Sequence, residues 1–145
     1  MPCLGSVRCR PGQAPGLAAL REVPVLAVLP VPRTEYFAVV PRSSSVYLIT
    51  SAGQLVASMG TGGSCDTVAA CLSPSGRYLY CAGEDQALYV FDVKLAQLEK
   101  LIGAPDAATG AKGSKGGEAL QLVHHPTRNV VSAVLRDGSV RIYEY

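Results

Sequence analysis

Hydrophobic residues in this chain come in short runs broken by turn-forming residues. Tyr36–Val40, Val46–Thr50 and Gln54–Met59 are separated by Pro41–Ser45 and Ser51–Gly53. Val68–Leu72, Arg77–Cys81, Ala87–Asp92 and Gln97–Ile102 follow, divided in part by Ser73-Pro74-Ser75-Gly76 and Gly83-Glu84-Asp85-Gln86. The last three runs are Ala119–His124, Val130–Leu135 and Ser139–Glu144, with His125-Pro126-Thr127-Arg128 and Arg136-Asp137-Gly138 between them. Short runs rich in β-branched and aromatic residues, with turn signals every ~8–12 positions, predict an all-β chain. Val93–Ile102 is the one stretch whose apolar residues also partly fit a helical period.

Two segments depart from this style. Residues 1–22 are rich in Gly, Pro and Arg without a period, and read as a mobile leader. Residues 103–117 are Gly, Ala, Lys and Ser in the main, the composition of a flexible insertion. The strand-rich part divides into 23–60, 64–102 and 118–145.

These three parts are copies of one another. CLSPSGRYLYCAGEDQALYVFDV (71–93) aligns without a gap to VHHPTRNVVSAVLRDGSVRIYEY (123–145), at an offset of 52. Pro74 falls on Pro126 and Asp85 on Asp137, and both copies run from a Pro turn through a strand and an Asp turn to a strand ending aromatic–acid. A third copy, PRTEYFAVVPRSSSVYLIT (32–50), aligns to 74–92 at an offset of 42. The insertion at 103–117 accounts for the difference, leaving a period near 42, within the ~40–45 residues of a four-stranded propeller blade. The chemistry of the repeat is that of blade turns and strands. Pro74 and Pro126 preset φ in the first turn, and the Asp85 and Asp137 side chains can bond backbone amides in the second. The middle strands at 78–82 and 130–134 are nearly all apolar, as in strands buried on both faces.

Composition supports a packed domain and narrows the chemistry. Of 145 residues, 48% are apolar and 17% charged, so a core can form. Thirteen basic and eleven acidic residues leave a net charge of +2, too balanced for a nucleic-acid binder that relies on a basic surface. The most apolar stretch, Val23–Pro32, holds three prolines and falls short of the ~20 residues of a spanning helix. No membrane partner and no secretory signal are expected. Five cysteines in no metal-binding spacing fit a reducing compartment.

No catalytic, cofactor or metal site emerges. His124 and His125 are the only histidines; they lack neighbouring ligands or a nucleophile, and strand alternation would point them to opposite faces. Asp85 and Asp137 occupy turns in different repeats, which suits turn stabilisation better than paired acid–base work. Cys71 and Cys81 lie in apolar strands, where a thiol behaves as a small hydrophobe. The Gly-rich GAKGSKGG at 110–117 lacks the order of a phosphate-binding loop and precedes a strand-like run. What is left for recognition is the set of turns, where Arg42, Glu84 and Arg136 are the residues expected to contact a partner protein.

The repeat resembles the WD40 repeat in a degenerate form, with Phe91-Asp92, Tyr143-Glu144 and Ile49-Thr50 in place of the name-giving dipeptide. Within that family, SPSGRYLYCAGEDQALYVFD, the His-His-Pro at 124–126 and the final VRIYEY look like the last blades of Smu-type WD40 splicing factors. LPVPRTEYFAVVPRSSSVYLITSAGQLVASM is similar to the blade before them. The resemblance covers about 23–145. It implies a partial β-propeller of about three four-stranded antiparallel blades, the last incomplete. It also implies a nuclear protein of the precatalytic spliceosome: a non-enzymatic scaffold for pre-mRNA splicing that binds other proteins, without direct sequence-specific nucleic-acid binding. A generic WD40 adaptor outside splicing, such as a ubiquitin ligase adaptor, is the alternative. The helical LisH/CTLH region through which the family dimerises and binds the RED protein has no counterpart in this sequence, so neither activity is carried over. Three blades fall short of the ~4–8 of a closed ring. The expectation is a truncated product, or a unit completed by upstream blades or partner chains.

Overall fold

The computed structural model describes residues 23–62, 65–103 and 117–144. Residues 1–22 and nearly all of the 103–117 insertion lie outside the described residues, as do Cys3 and Cys9. Among the described residues eleven strands form three antiparallel sheets. The first sheet holds β1 (Val25–Pro30), β2 (Tyr36–Pro41), β3 (Ser45–Thr50) and β4 (Leu55–Gly60), in that order. The second holds β5 (Thr67–Leu72), β6 (Tyr78–Gly83), β7 (Leu88–Asp92) and β8 (Gln97–Ile102). The third holds β9 (Ala119–His124), β10 (Val130–Leu135) and β11 (Val140–Glu144). Each sheet is an up-and-down meander, and β5 packs beside β1 on one side and β9 on the other. This is the all-β arrangement of propeller blades stacked face to face, with three strands rather than four in the last sheet among the described residues.

Hydrogen bonds reproduce the repeat residue for residue. The N–H of Val31, Ser73 and His125 donates to the carbonyl of Tyr36, Tyr78 and Val130 at 2.9, 2.8 and 2.8 Å. At the other end of each blade, Arg42, Glu84 and Arg136 donate their N–H to the carbonyls of Pro24, Asp66 and Glu118 at 2.8, 3.0 and 2.9 Å. All six donors and acceptors follow the offsets of 42 and 52 found in the sequence.

Strand pleating divides the middle blade between its two neighbours. Leu79, Cys81, Ala87, Tyr89 and Phe91 point upstream and pack with Ala38, Val40, Val46, Leu48 and Met59 of the first blade. Tyr80, Ala82, Leu88 and Val90 point downstream and pack with Ala119, Leu122, Val131, Ala133 and Leu135 of the third. A strand covered on both faces loses its alternation, and β7 is buried at every position. Each large side chain buried this way contributes on the order of 1.5–3 kcal/mol before the entropy of ordering is counted.

Three local expectations change. The strand β1 falls within Val23–Pro32, which is absent from the runs picked out above because of its prolines. Pro30 is the last residue of that strand, and β1 is an edge of its sheet, where a missing N–H costs little. The segment Val93–Ile102 resolves into a turn followed by the strand β8, with Ala96 at φ 54°. The apolar run 130–134 was expected to be buried on both faces, yet in β10 Val134 is exposed while Val131 and Ala133 are buried. The difference is that no described residue covers the downstream face of the third blade.

Candidate functional site

The turn residues singled out as partner contacts share one rim. Arg42, Glu84 and Arg136 follow β2, β6 and β10 and occupy equivalent places in the three blades. The Arg42 guanidinium donates to Glu84 Oε1 at 2.8 Å and to Glu118 Oε1 at 2.9 Å. Arg136 reaches Glu118 Oε2 at 3.8 Å. One chain of charges therefore crosses all three blades. The hydrogen bond that Arg42 donates to Glu84 and the charge of Glu118 raise the pKa of Arg42 further. Arg42 and Glu84 stay roughly two-fifths exposed, so solvent screens the pairs and their effect on stability is small. The network fixes the direction of the side chains and sets both signs of charge side by side on the rim.

Glu118 was not singled out from the sequence. It is the counterpart of Asp66 and Pro24, just ahead of the inner strand and outside the aligned segment 123–145, so no repeat or turn signal marked it. Thr67 of the second blade adds a link to the first, donating its N–H to the Ser43 carbonyl at 2.9 Å, while Thr61, just after β4, donates its N–H to the Ser44 carbonyl of its own blade at 2.9 Å.

Each aspartate serves its own turn. Asp85 Oδ1 accepts the Ala87 N–H at 3.0 Å, and Oδ2 accepts the Tyr89 hydroxyl at 2.7 Å. The Cys65 thiol donates to the same hydroxyl oxygen at 3.4 Å. Asp137 Oδ1 accepts both the hydroxyl and the N–H of Ser139, at 2.6 and 2.9 Å, and these bonds hold its carboxyl below the ordinary range. In the first blade Ser43 takes this place, its hydroxyl bonding Ser45.

On the opposite side of the blades, the Pro74 and Pro126 turns flank a cleft of about 210 Å³. Gly76 takes φ +74° here, and a Cβ on it would come within 2.8 Å of Pro32 Cδ in the first blade's turn. Both histidines line this cleft, against the expectation that they diverge. The strand β9 ends at His124, so the alternation of a pleated strand does not extend to His125. The half-buried His124 tilts against Tyr80, with ring centroids 5.3 Å apart, and its Nδ1–H donates to the His125 carbonyl at 2.6 Å. His125 Nδ1 accepts the N–H groups of Thr127 and Arg128 at 3.1 Å each, which places its proton on Nε2. The imidazole is thereby used as a turn cap.

Burial raises the Cys71 pKa to about 12 and pushes that of Cys81 higher still. A thiol that stays protonated is a poor nucleophile. Among the described residues no group of three or more His, Cys, Asp or Glu is placed to hold a metal ion.

Meandering sheets stacked in series, with a repeat near 42 residues and a turn after the second strand held by Asp85 and Asp137 in two of the sheets, define blades of a WD40-type propeller. A search of curated proteins agrees with this class. The chain is 24% identical over 129 residues to the WD40 repeat-containing protein smu1 of Dictyostelium discoideum, a match that takes in 88% of this chain. The chain spans 22% of the length of that relative. No family model matches the chain.

Proposed function

We propose that this chain is a non-enzymatic interaction scaffold that works in pre-mRNA splicing, in the nucleus, by presenting its charged rim to spliceosomal proteins. The observation that carries this reading is the co-location of Arg42, Glu84 and Arg136 on one exposed rim, held in place by Glu118. A rigid row of turns with oriented charges gives a partner fixed hydrogen-bonding geometry at little entropic cost. The resemblance of the blades to Smu-type splicing factors supports the choice of splicing over other scaffold roles, as does the similarity to smu1.

The test is co-precipitation from nuclear extract with the tagged 145-residue chain, beside an Arg42→Glu, Arg136→Glu double variant. Spliceosomal proteins are expected with the parent chain and are expected to be lost with the variant. Recovery of ubiquitin-ligase subunits instead would favour the adaptor reading. Equal recovery by both chains would remove the rim from the proposal.

A further inference from the structure

The cleft between the Pro74 and Pro126 turns has a one-sided polarity that turn capping does not explain. Of the side chains that line it, only Arg128 carries a formal charge, and no aspartate or glutamate is among them. Next to it, the Arg77 guanidinium lies 5.1 Å over the Tyr78 ring, but Asp92 answers that charge at 3.5 Å. Arg128 has no ion pair among the described residues. Three neutral donors line the same cleft. His125 keeps its Nε2–H, because its Nδ1 is the atom that accepts the Thr127 and Arg128 N–H groups. The Asn129 amide and the Tyr78 hydroxyl have no hydrogen bond among the described residues.

The backbone of the two turns is already spent. The Gly76 N–H donates to the Ser73 carbonyl, and the Arg77 and Tyr78 N–H groups donate to the hydroxyls of Ser75 and Ser73. Thr127 and Arg128 give theirs to His125, and Val130 gives its own to the Arg128 carbonyl. A phosphate or a chain terminus held by successive backbone amides finds no such nest here. The donors that remain are on side chains, and one full positive charge among them matches one negative charge. The fork of an arginine pairs with both oxygens of a carboxylate. Pro74, Pro126 and the tilted His124 ring supply apolar wall for the carbon chain that carries it. The hydrogen bonds within each turn hold the walls in place, so little ordering is left to be done on binding.

We propose that this cleft is a second recognition site, which takes an aspartate or glutamate side chain of a partner protein. Arg128 pairs with the carboxylate, Asn129, His125 and Tyr78 supply neutral donors beside it, and the proline rings cover its methylenes. The site lies on the side of the blades away from the charged rim, so it stands whether or not the rim binds a partner.

The test is a proton–nitrogen NMR titration of the full 145-residue chain with the peptide acetyl-Leu-Glu-Leu-amide. Peptides with glutamine or phosphoserine in the middle place are run beside it. Shift changes are expected to cluster at Tyr78, His125, Thr127, Arg128 and Asn129. The glutamate peptide is expected to bind about fivefold more tightly than the glutamine peptide, the scale of one exposed ion pair. Arg128→Gln, at an exposed position, is expected to bring the two peptides to equal affinity, and its spectrum reports directly that the variant is folded. Unchanged shifts at these residues would overturn the proposal, as would equal binding of both peptides by the parent chain. A glutamate preference that survives Arg128→Gln would overturn it too. Shift changes confined to Arg42 and Arg136 would overturn it in favour of the rim. Tighter binding of the phosphoserine peptide would overturn the carboxylate as the ligand and make this a phosphate site.

Discussion

Adding one methyl group at Gly83 tests how tightly the second blade's turn is built. A Cβ at this position would lie 2.5 Å from Asp85 Oδ1, 2.7 Å from Cys65 Sγ and 2.9 Å from Tyr89 Cε2. All three are shorter than real contacts allow, so something must move. The Tyr89 ring is only 4% exposed and packs between blades, so it has little room to yield. Moving Asp85 instead breaks its bonds to the Ala87 N–H and the Tyr89 hydroxyl. Overpacking of this kind costs ~1–3 kcal/mol. Two lost hydrogen bonds add about 1 kcal/mol each if the carboxylate is the group that leaves. With the carboxylate displaced, Gly83→Ala is therefore expected to destabilise the fold by ~3–5 kcal/mol, which lowers Tm by roughly 10–20 °C in a chain of this size. The assay is thermal and urea unfolding followed by circular dichroism, repeated in an Asp85→Ala background. Removing the carboxylate removes the closest contact, so the second measurement should show a cost smaller by ~1 kcal/mol or more. A Tm drop below about 2 °C, or an equal cost in both backgrounds, would refute the steric argument.

Two further predictions follow from burial. Phe91, fully buried at the first junction, should cost ~3–5 kcal/mol when changed to Ala, whereas Leu95→Ala, 62% exposed, should stay within ~0.5 kcal/mol in the same urea titration. The buried thiols should make the fold sensitive to alkali. Cys71 and Cys81 titrate well above the ordinary thiol value of 9.0 when folded, so above that pH the unfolded chain holds fewer of these protons than the folded one. Their contribution is complete below about pH 8 and lost as pH rises from about 9 through 12. Urea midpoints between pH 7 and 11 check this, and Cys71→Ala, Cys81→Ala should flatten the decline.

The repeat was legible because its punctuation is local. A proline, glycine or aspartate acts on the few residues around it, so the turns at 73–76, 83–86 and 136–138 could be read one at a time. The face exposed to solvent was not legible in the same way. The sequences at 78–82 and 130–134 are equally apolar, yet Ala82 is buried and its counterpart Val134 is exposed. Hydrophobicity records what a strand is suited to meet, and not whether a neighbour is present. Glu118 went unnoticed for a related reason. It sits outside any recognisable turn, and its importance comes from an arginine 76 residues away. The paired placement of His124 and His125 depended on where a strand ends to within one residue, the least certain boundary in any pattern of alternation.

The backbone bonds that tie Arg42, Glu84 and Arg136 to the residues ahead of the inner strands use no side-chain atoms. The blade is closed by groups that every residue except proline can supply. The three positions already hold an arginine, a glutamate and an arginine without any change in that closure. The line of the rim is thus set by backbone alone, while the side chains on it are coupled to one another through Arg42 and Glu118. On the role proposed for the rim, exchanging its side chains would alter recognition without an offsetting change in the core.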